Sequence, residues 1–95
     1  MYSLGIDIGT SSVKVSLLEI ETGICVDSST NPKVEAPIKA AFKGWAEQEP
    51  ESWWNYLCDG IKDISSRHPM DKVQSIGITY QMHGLVCVDK DCKPV

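Results

Sequence analysis

The chain has 95 residues, 42% of them apolar and 23% charged, a balance that excludes both a disordered segment and a membrane-embedded one. Nine basic residues against 13 acidic ones leave a net charge of −4, so neither nucleic acid nor an anionic membrane surface is expected as a partner. A chain this short buries roughly 60–65% of its unfolded surface, enough for one core but thin for an enzyme that must close around two substrates.

In chain order, Leu4, Ile6 and Ile8 alternate with Gly5 and Asp7, and the alternation resumes at Val13, Val15 and Leu17 after the small residues Gly9 to Ser12. A turn at Glu21, Thr22 and Gly23 then leads to Ile24, Cys25 and Val26, which predicts a three-stranded antiparallel meander over about the first 30 residues. From Asn31 to Gly44 the pattern dissolves into prolines, lysines and short apolar residues, as in a long surface connection.

A helix is expected from Pro50, where the missing N–H costs nothing and Glu51 suits the helix dipole. Trp53, Trp54, Leu57, Cys58, Ile61 and Ile64 recur at helical spacing and predict a face packed on the sheet, while Gly60 is unfavourable there by about 1 kcal/mol against alanine. Arg67 and His68 suit the C-terminal end and Pro69 stops it. Val73 to Thr79 returns to strand character, and a helix between strands predicts a crossover that makes this strand parallel to an earlier one. Leu85 to Val88 is expected to form a further short strand, and Asp89 to Pro94 a polar turn.

The four cysteines, Cys25, Cys58, Cys87 and Cys92, lack the paired spacing of a zinc site, and neither His68 nor His83 completes one. Reduced, mostly buried thiols are expected. No stretch approaches the roughly 18 consecutive apolar residues of a membrane span, and the N-terminus enters patterned sequence without a leader, so the expected compartment is the cytoplasm.

Two constellations could carry chemistry. Asp7 ends a strand and is followed by the hydroxyl-rich turn Gly9, Thr10, Ser11, Ser12 and then Lys14. Backbone N–H groups and hydroxyls in such a turn can face phosphate oxygens, and the carboxylate can hold Mg²⁺ directly or through water. The same residues also fit a plain hairpin turn with Asp7 in an Asx-type bond. Gln81, Met82, His83 and Gly84 directly follow the predicted Ile76 to Thr79 strand, and the carboxyl ends of parallel strands gather ligands. Gln81 and His83 suit a polyhydroxyl ligand and Met82 an adaptable apolar contact, although His83 also fits an ordinary turn. Trp53 or Trp54 reads as core, and Glu47, Glu49 and Glu51 as charge welcomed by a helix N-terminus rather than a paired-carboxylate site.

Taken in order, Gly5-Ile6-Asp7-Ile8-Gly9-Thr10-Ser11-Ser12-Val13-Lys14, Gly44-Trp45-Ala46-Glu47-Gln48-Glu49-Pro50 with Trp53-Trp54, and Ile76-Gly77-Ile78-Thr79 with Gln81-Met82-His83-Gly84 resemble the start of an FGGY-family carbohydrate kinase. The resemblance implies an α/β fold of the ribonuclease H-like, actin-like ATPase type, with residues 1–95 as an incomplete N-terminal part of domain I and the second domain on the remainder of the kinase chain. It implies ATP and Mg²⁺ as cofactors and a small-molecule sugar as substrate. Asp7 would help hold the metal, Gly9, Thr10, Ser11, Ser12 and Lys14 would meet the ATP phosphates, and Gln81, Met82 and His83 would border the sugar. The Met82-His83 pair points to the ketopentose members, with D-xylulose converted to D-xylulose 5-phosphate, rather than to glycerol kinases. Another ketose or polyol, or a non-catalytic actin-like binding module, would share these motifs. Tyr80 departs from the glycine usual at that position, so it either narrows the sugar pocket or points away. The general base would lie beyond residue 95, so the chain alone is expected to be inactive, and its uncovered sheet edges are expected to favour self-association.

Overall fold

The computed structural model describes residues 1–95 as a mixed sheet of four strands carrying one long helix. The elements are β1 (Tyr2–Ile8), β2 (Val13–Glu19), β3 (Ile24–Asn31), α1 (Pro50–Ser65), a 3₁₀ turn at Met70–Lys72 and β4 (Val73–Tyr80). The sheet order is β3-β2-β1-β4, with β1 antiparallel to β2, β2 antiparallel to β3, and β4 parallel to β1. Meander and crossover thus stand as the alternation and the intervening helix predict.

Period-two alternation sends Leu4 and Ile6 of β1 and Val13, Val15 and Leu17 of β2 to the helix-bearing face, where they form the buried cluster with Ile64. Asp7, Gly5, Lys14 and Ser16 take the opposite face. The helix lies over β2 and β3 and leaves β4 open, so Ile76 and Ile78 are 61% and 64% exposed although they pair with the buried Leu4 and Ile6.

Gly60 has a purpose that helix propensity alone hides. It is buried against β2, and a Cβ there would stand 2.7 Å from Cγ2 of Val15, a stiff β-branched side chain with no exposure of its own. The glycine therefore sets how closely α1 can approach the central strand.

Three expectations are corrected. Leu85 to Val88 forms no strand, only a bridge between Val88 and Pro94, because no strand of this chain is offered to it and Leu85 stands 88% exposed. The thiols are not mostly buried: Cys25 on an edge strand, Cys87 in the Leu85–Val88 segment and Cys92 in the polar C-terminal turn are exposed, and only Cys58 is partly covered. Trp54 is exposed, since the packed stripe runs through Trp53, Tyr56, Leu57, Gly60, Ile61 and Ile64 and leaves Trp54 at its margin.

The end of α1 is clamped to β3 by charge. Arg67 donates to both carboxylate oxygens of Asp63, at 2.7 and 3.2 Å, and through Nε to Asp27 at 2.8 Å, while His68 Nε2 lies 3.0 Å from the same Asp27 oxygen. The Arg67 hydrogen bonds hold the Asp63 carboxyl down at about 2, helped by Ser29, and hold Asp27 below the ordinary carboxylate value, helped by the Ser28 N–H and His68. Both carboxyls bind protons more readily in the unfolded chain, so the clamp's contribution is complete above about pH 4 and falls away toward about pH 2. An acid titration followed by circular dichroism should show this loss, and Asp63→Asn should flatten it; an identical acid profile for the variant would refute the assignment.

Candidate functional site

The C-terminal ends of the parallel pair β1 and β4, the start of β2 and the N-terminus of α1 all meet at one edge of the sheet. Ligands of α/β folds bind at such an edge because backbone groups there are free of the ladder and loops converge. A cavity of about 550 Å³ opens at this edge, bordered by Thr10, Gln48, Trp53, Gln81, Met82 and His83 among others. Its lining mixes these groups with apolar residues such as Ile38, Leu85 and Val86, and its volume falls in the range of small-molecule sites.

The loop Gly9–Ser12 closes tightly, with the Gly9 N–H donating to the Ser12 carbonyl at 2.9 Å. A Cβ on Gly9 would press on that same oxygen at 3.1 Å, so glycine fits the turn. The long connection after β3 braces the loop from outside. The Ala36 N–H donates to the Ser11 carbonyl at 2.8 Å, the Ser11 hydroxyl reaches Glu35 at 3.4 Å, and the Gln48 side chain donates to the Thr10 carbonyl at 2.5 Å. Ala36 is buried by this contact.

Gln48 also joins the loop to the turn after β4. Its Oε1 accepts from Trp53 Nε1 at 3.3 Å and from Gln81 Nε2 at 3.4 Å, and Thr10 Oγ1 donates to Gln81 Oε1 at 3.3 Å. Thr10, Gln48 and Gln81 thus form a closed ring of hydrogen bonds in which every N–H or O–H faces an oxygen. Sequence reasoning assigned Gln48 no role. The signal was its place in the Gly44–Pro50 motif, but a side chain bridging segments 38 and 33 residues away is a tertiary fact.

The other expected site residues divide by position. Met82 and His83 border the cavity and are exposed. Ser11 and Ser12 face a separate hollow shared with Thr30, Pro32, Lys33, Val34 and Glu35. Asp7 and Lys14 are register partners at the same end of the sheet, with Thr79 beside Asp7 on β4; both side chains are exposed on the face away from α1. Gly9 closes the loop between them. Tyr80 does not border the cavity: it pairs with Ile8 on the apolar face and is 75% exposed. Glu49 and Glu51 lie at the start of α1, as their clustering suggests, while Glu47 pairs through its backbone with Lys39.

A bare carboxylate at a strand end is a hard oxygen donor, and Mg²⁺ is ordinarily held by one or two carboxylates, several waters and the phosphates of its substrate. Asp7, exposed beside a loop rich in hydroxyls and N–H groups, fits such a metal–phosphate pair.

An α/β sheet with a tight hydroxyl-rich loop braced against a polar turn at its strand ends has counterparts among known proteins. Residues 2–95 match the model of the FGGY family of carbohydrate kinases, N-terminal domain, and the chain belongs to that family. The xylulose kinase of Escherichia coli (strain K12) is 38% identical over 89 residues, covering 94% of this chain and 17% of its own length. The gluconokinase of Bacillus subtilis (strain 168) is 31% identical over 94 residues, 99% of this chain and 18% of its own. Among solved structures, a xyloylose kinase from Brucella ovis superposes with a TM-score of 0.88 at 29% identity, over 99% of this chain and 19% of that one. The chain therefore spans less than a fifth of the length of these relatives, and the fold is that of the actin-like sugar kinases. No helix is long and apolar enough to cross a membrane.

Proposed function

We propose that residues 1–95 are the N-terminal part of domain I of an ATP-dependent sugar kinase, and that they supply one phosphate loop and one sugar-contacting turn to a two-walled cleft. The observation that carries this is the hydrogen-bonded ring that holds Thr10 of the loop against Gln81 of the turn at the C-terminal ends of β1 and β4. In phosphoryl transfer the protein mainly positions the reactants and stabilises charge, so two contact segments fixed to each other are what one wall must provide.

In this reading the N–H groups and hydroxyls of Gly9, Thr10, Ser11 and Ser12 face the ATP phosphates, and Lys14 adds positive charge nearby. Asp7 would hold Mg²⁺, which when bound neutralises charge on the transferring group. Gln81 and His83 hydrogen-bond sugar hydroxyls, and Met82 lies along the sugar's apolar edge. The base that takes the hydroxyl proton belongs to the rest of the polypeptide, so the isolated chain turns over no sugar. The expected compartment is the cytoplasm.

The sugar we propose is a ketopentose, D-xylulose, on the Met82-His83 pair and the xylulose kinase relatives. The gluconokinase relative favours a second reading, a sugar acid such as gluconate. A coupled ADP assay of the complete polypeptide containing residues 1–95 against D-xylulose, D-ribulose, gluconate and glycerol separates them. The highest kcat/KM should fall on D-xylulose; a preference for gluconate would replace the ketopentose, and no sugar-dependent ADP release at all would remove the kinase reading.

A further inference from the structure

We propose that Gln48 is a positioning residue that locks the Gly9–Ser12 loop to the Gln81–Gly84 turn, so that the phosphate and sugar contacts of this wall are energetically coupled; this rests on the sugar-kinase reading above. One primary amide can donate and accept at once. Gln48 Nε2 donates to the Thr10 carbonyl while Oε1 accepts from both Gln81 and Trp53, and the Thr10 hydroxyl closes the circuit on Gln81. A carboxylate could not donate to Thr10, an asparagine is one methylene short, and an apolar side chain can do neither.

The bonds are placed where they can transmit. The bonds that Gln48 Oε1 accepts from Trp53 and Gln81 are partly buried, which shields them from competing water, whereas the two bonds to the exposed Thr10 stand open to solvent. Trp53 packs on the core cluster, so its indole ties the ring to the rigid body of helix and sheet. Thr10 and Gln81 lie on separate connections 71 residues apart, and Gln48 arrives from a third. A ligand that orders one of the two segments therefore lowers the cost of ordering the other, which is the physical content of coupling between two sites.

The test measures sugar and MgATP binding to the complete polypeptide, each alone and each in the presence of the other, together with the steady-state sugar KM, for wild type, Gln48→Met and Gln48→Glu. Wild type should bind MgATP about 5-fold or more tightly once sugar is present. Gln48→Met, of similar size without the polar atoms, should raise the sugar KM about tenfold and bring the coupling to within twofold of none. Gln48→Glu keeps the acceptor for Trp53 and Gln81 but loses the donor to Thr10, so it should hold the sugar KM within about threefold of wild type while losing the coupling. A merely structural role would lower the active fraction in both variants and leave KM and coupling unchanged; that result in folded protein overturns the proposal. Absence of any sugar or nucleotide binding in wild type would instead defeat the kinase reading. The lock is then read by backbone amide exchange: Gln48→Met should accelerate exchange both at residues 9–12 and at 81–84, and unchanged exchange at either segment overturns it.

Discussion

Replacing Asp7 by asparagine in the complete polypeptide should lower kcat by about 10²–10³-fold, the several kcal/mol that metal-held charge stabilisation contributes to a transferring phosphoryl group. Asparagine keeps the size and one oxygen but removes the charge that holds a hard cation. The fold should be untouched, because Asp7 is exposed on the face away from the core and its backbone pairing with Lys14 and Thr79 does not involve the carboxylate. The sugar KM should likewise stay near wild type, since Gln81 to His83 reach the cavity independently of Asp7. Steady-state kinetics with varied Mg²⁺ check this. A folded variant with kcat within threefold of wild type would show that Asp7 merely closes a hairpin.

The largest effect on stability is expected at Ile64. Ile64→Ala should cost about 2–5 kcal/mol, by lost transfer energy and by the cavity left behind. Its position explains why. It is the only helix side chain in the buried cluster, packed among Leu4, Ile6, Val13, Val15 and Leu17, with Trp53, Tyr56, Leu57 and Ile61 packing partly buried around it. The cluster is small, and the neighbours that might collapse into the gap are β-branched or held in paired strands. Ile64→Val should cost only about 0.5–1.5 kcal/mol. Denaturant midpoints at constant slope measure both; an alanine variant within 1 kcal/mol of wild type, a margin well below the cavity range, would place the core elsewhere.

The strands and the helix were legible because their signals are local. Alternation at Leu4, Ile6, Ile8 and at Val13, Val15, Leu17 is a property of neighbouring residues, and Pro50 opens α1 by backbone chemistry that needs no partner, although the helix ends at Ser65, ahead of Pro69. What was hidden depends on distant contacts. Gly60 reads as a helix defect until Val15 is seen beneath it. Leu85 to Val88 has strand composition, but a strand exists only where another pairs with it. Trp54 shares the apolar character of Trp53 and differs from it by a single residue's rotation about the helix.

The site divides the same way. Thr10, Gln81, Met82 and His83 were named from motif chemistry, and the fold places them around one cavity. Asp7 and Lys14 were named together and stand opposite each other in register, on the other face of the sheet's end. Gln48 was invisible as a site residue because its meaning lies in two bonds to segments far away in the chain. Tyr80 stands out by its size, yet it shares a strand face with Ile78 and Ile76 and does not border the cavity.

The most direct measurement is xylulose-dependent ADP release by the complete polypeptide containing residues 1–95, with His83→Ala run beside wild type. The expected result is sugar-dependent ADP release by wild type, with the xylulose KM of the variant raised about tenfold, as for one lost hydrogen bond to substrate, and the MgATP KM within twofold. Failure of wild type to release ADP in response to sugar, or an unchanged xylulose KM in a folded His83→Ala variant, would contradict a sugar-contacting turn on this wall.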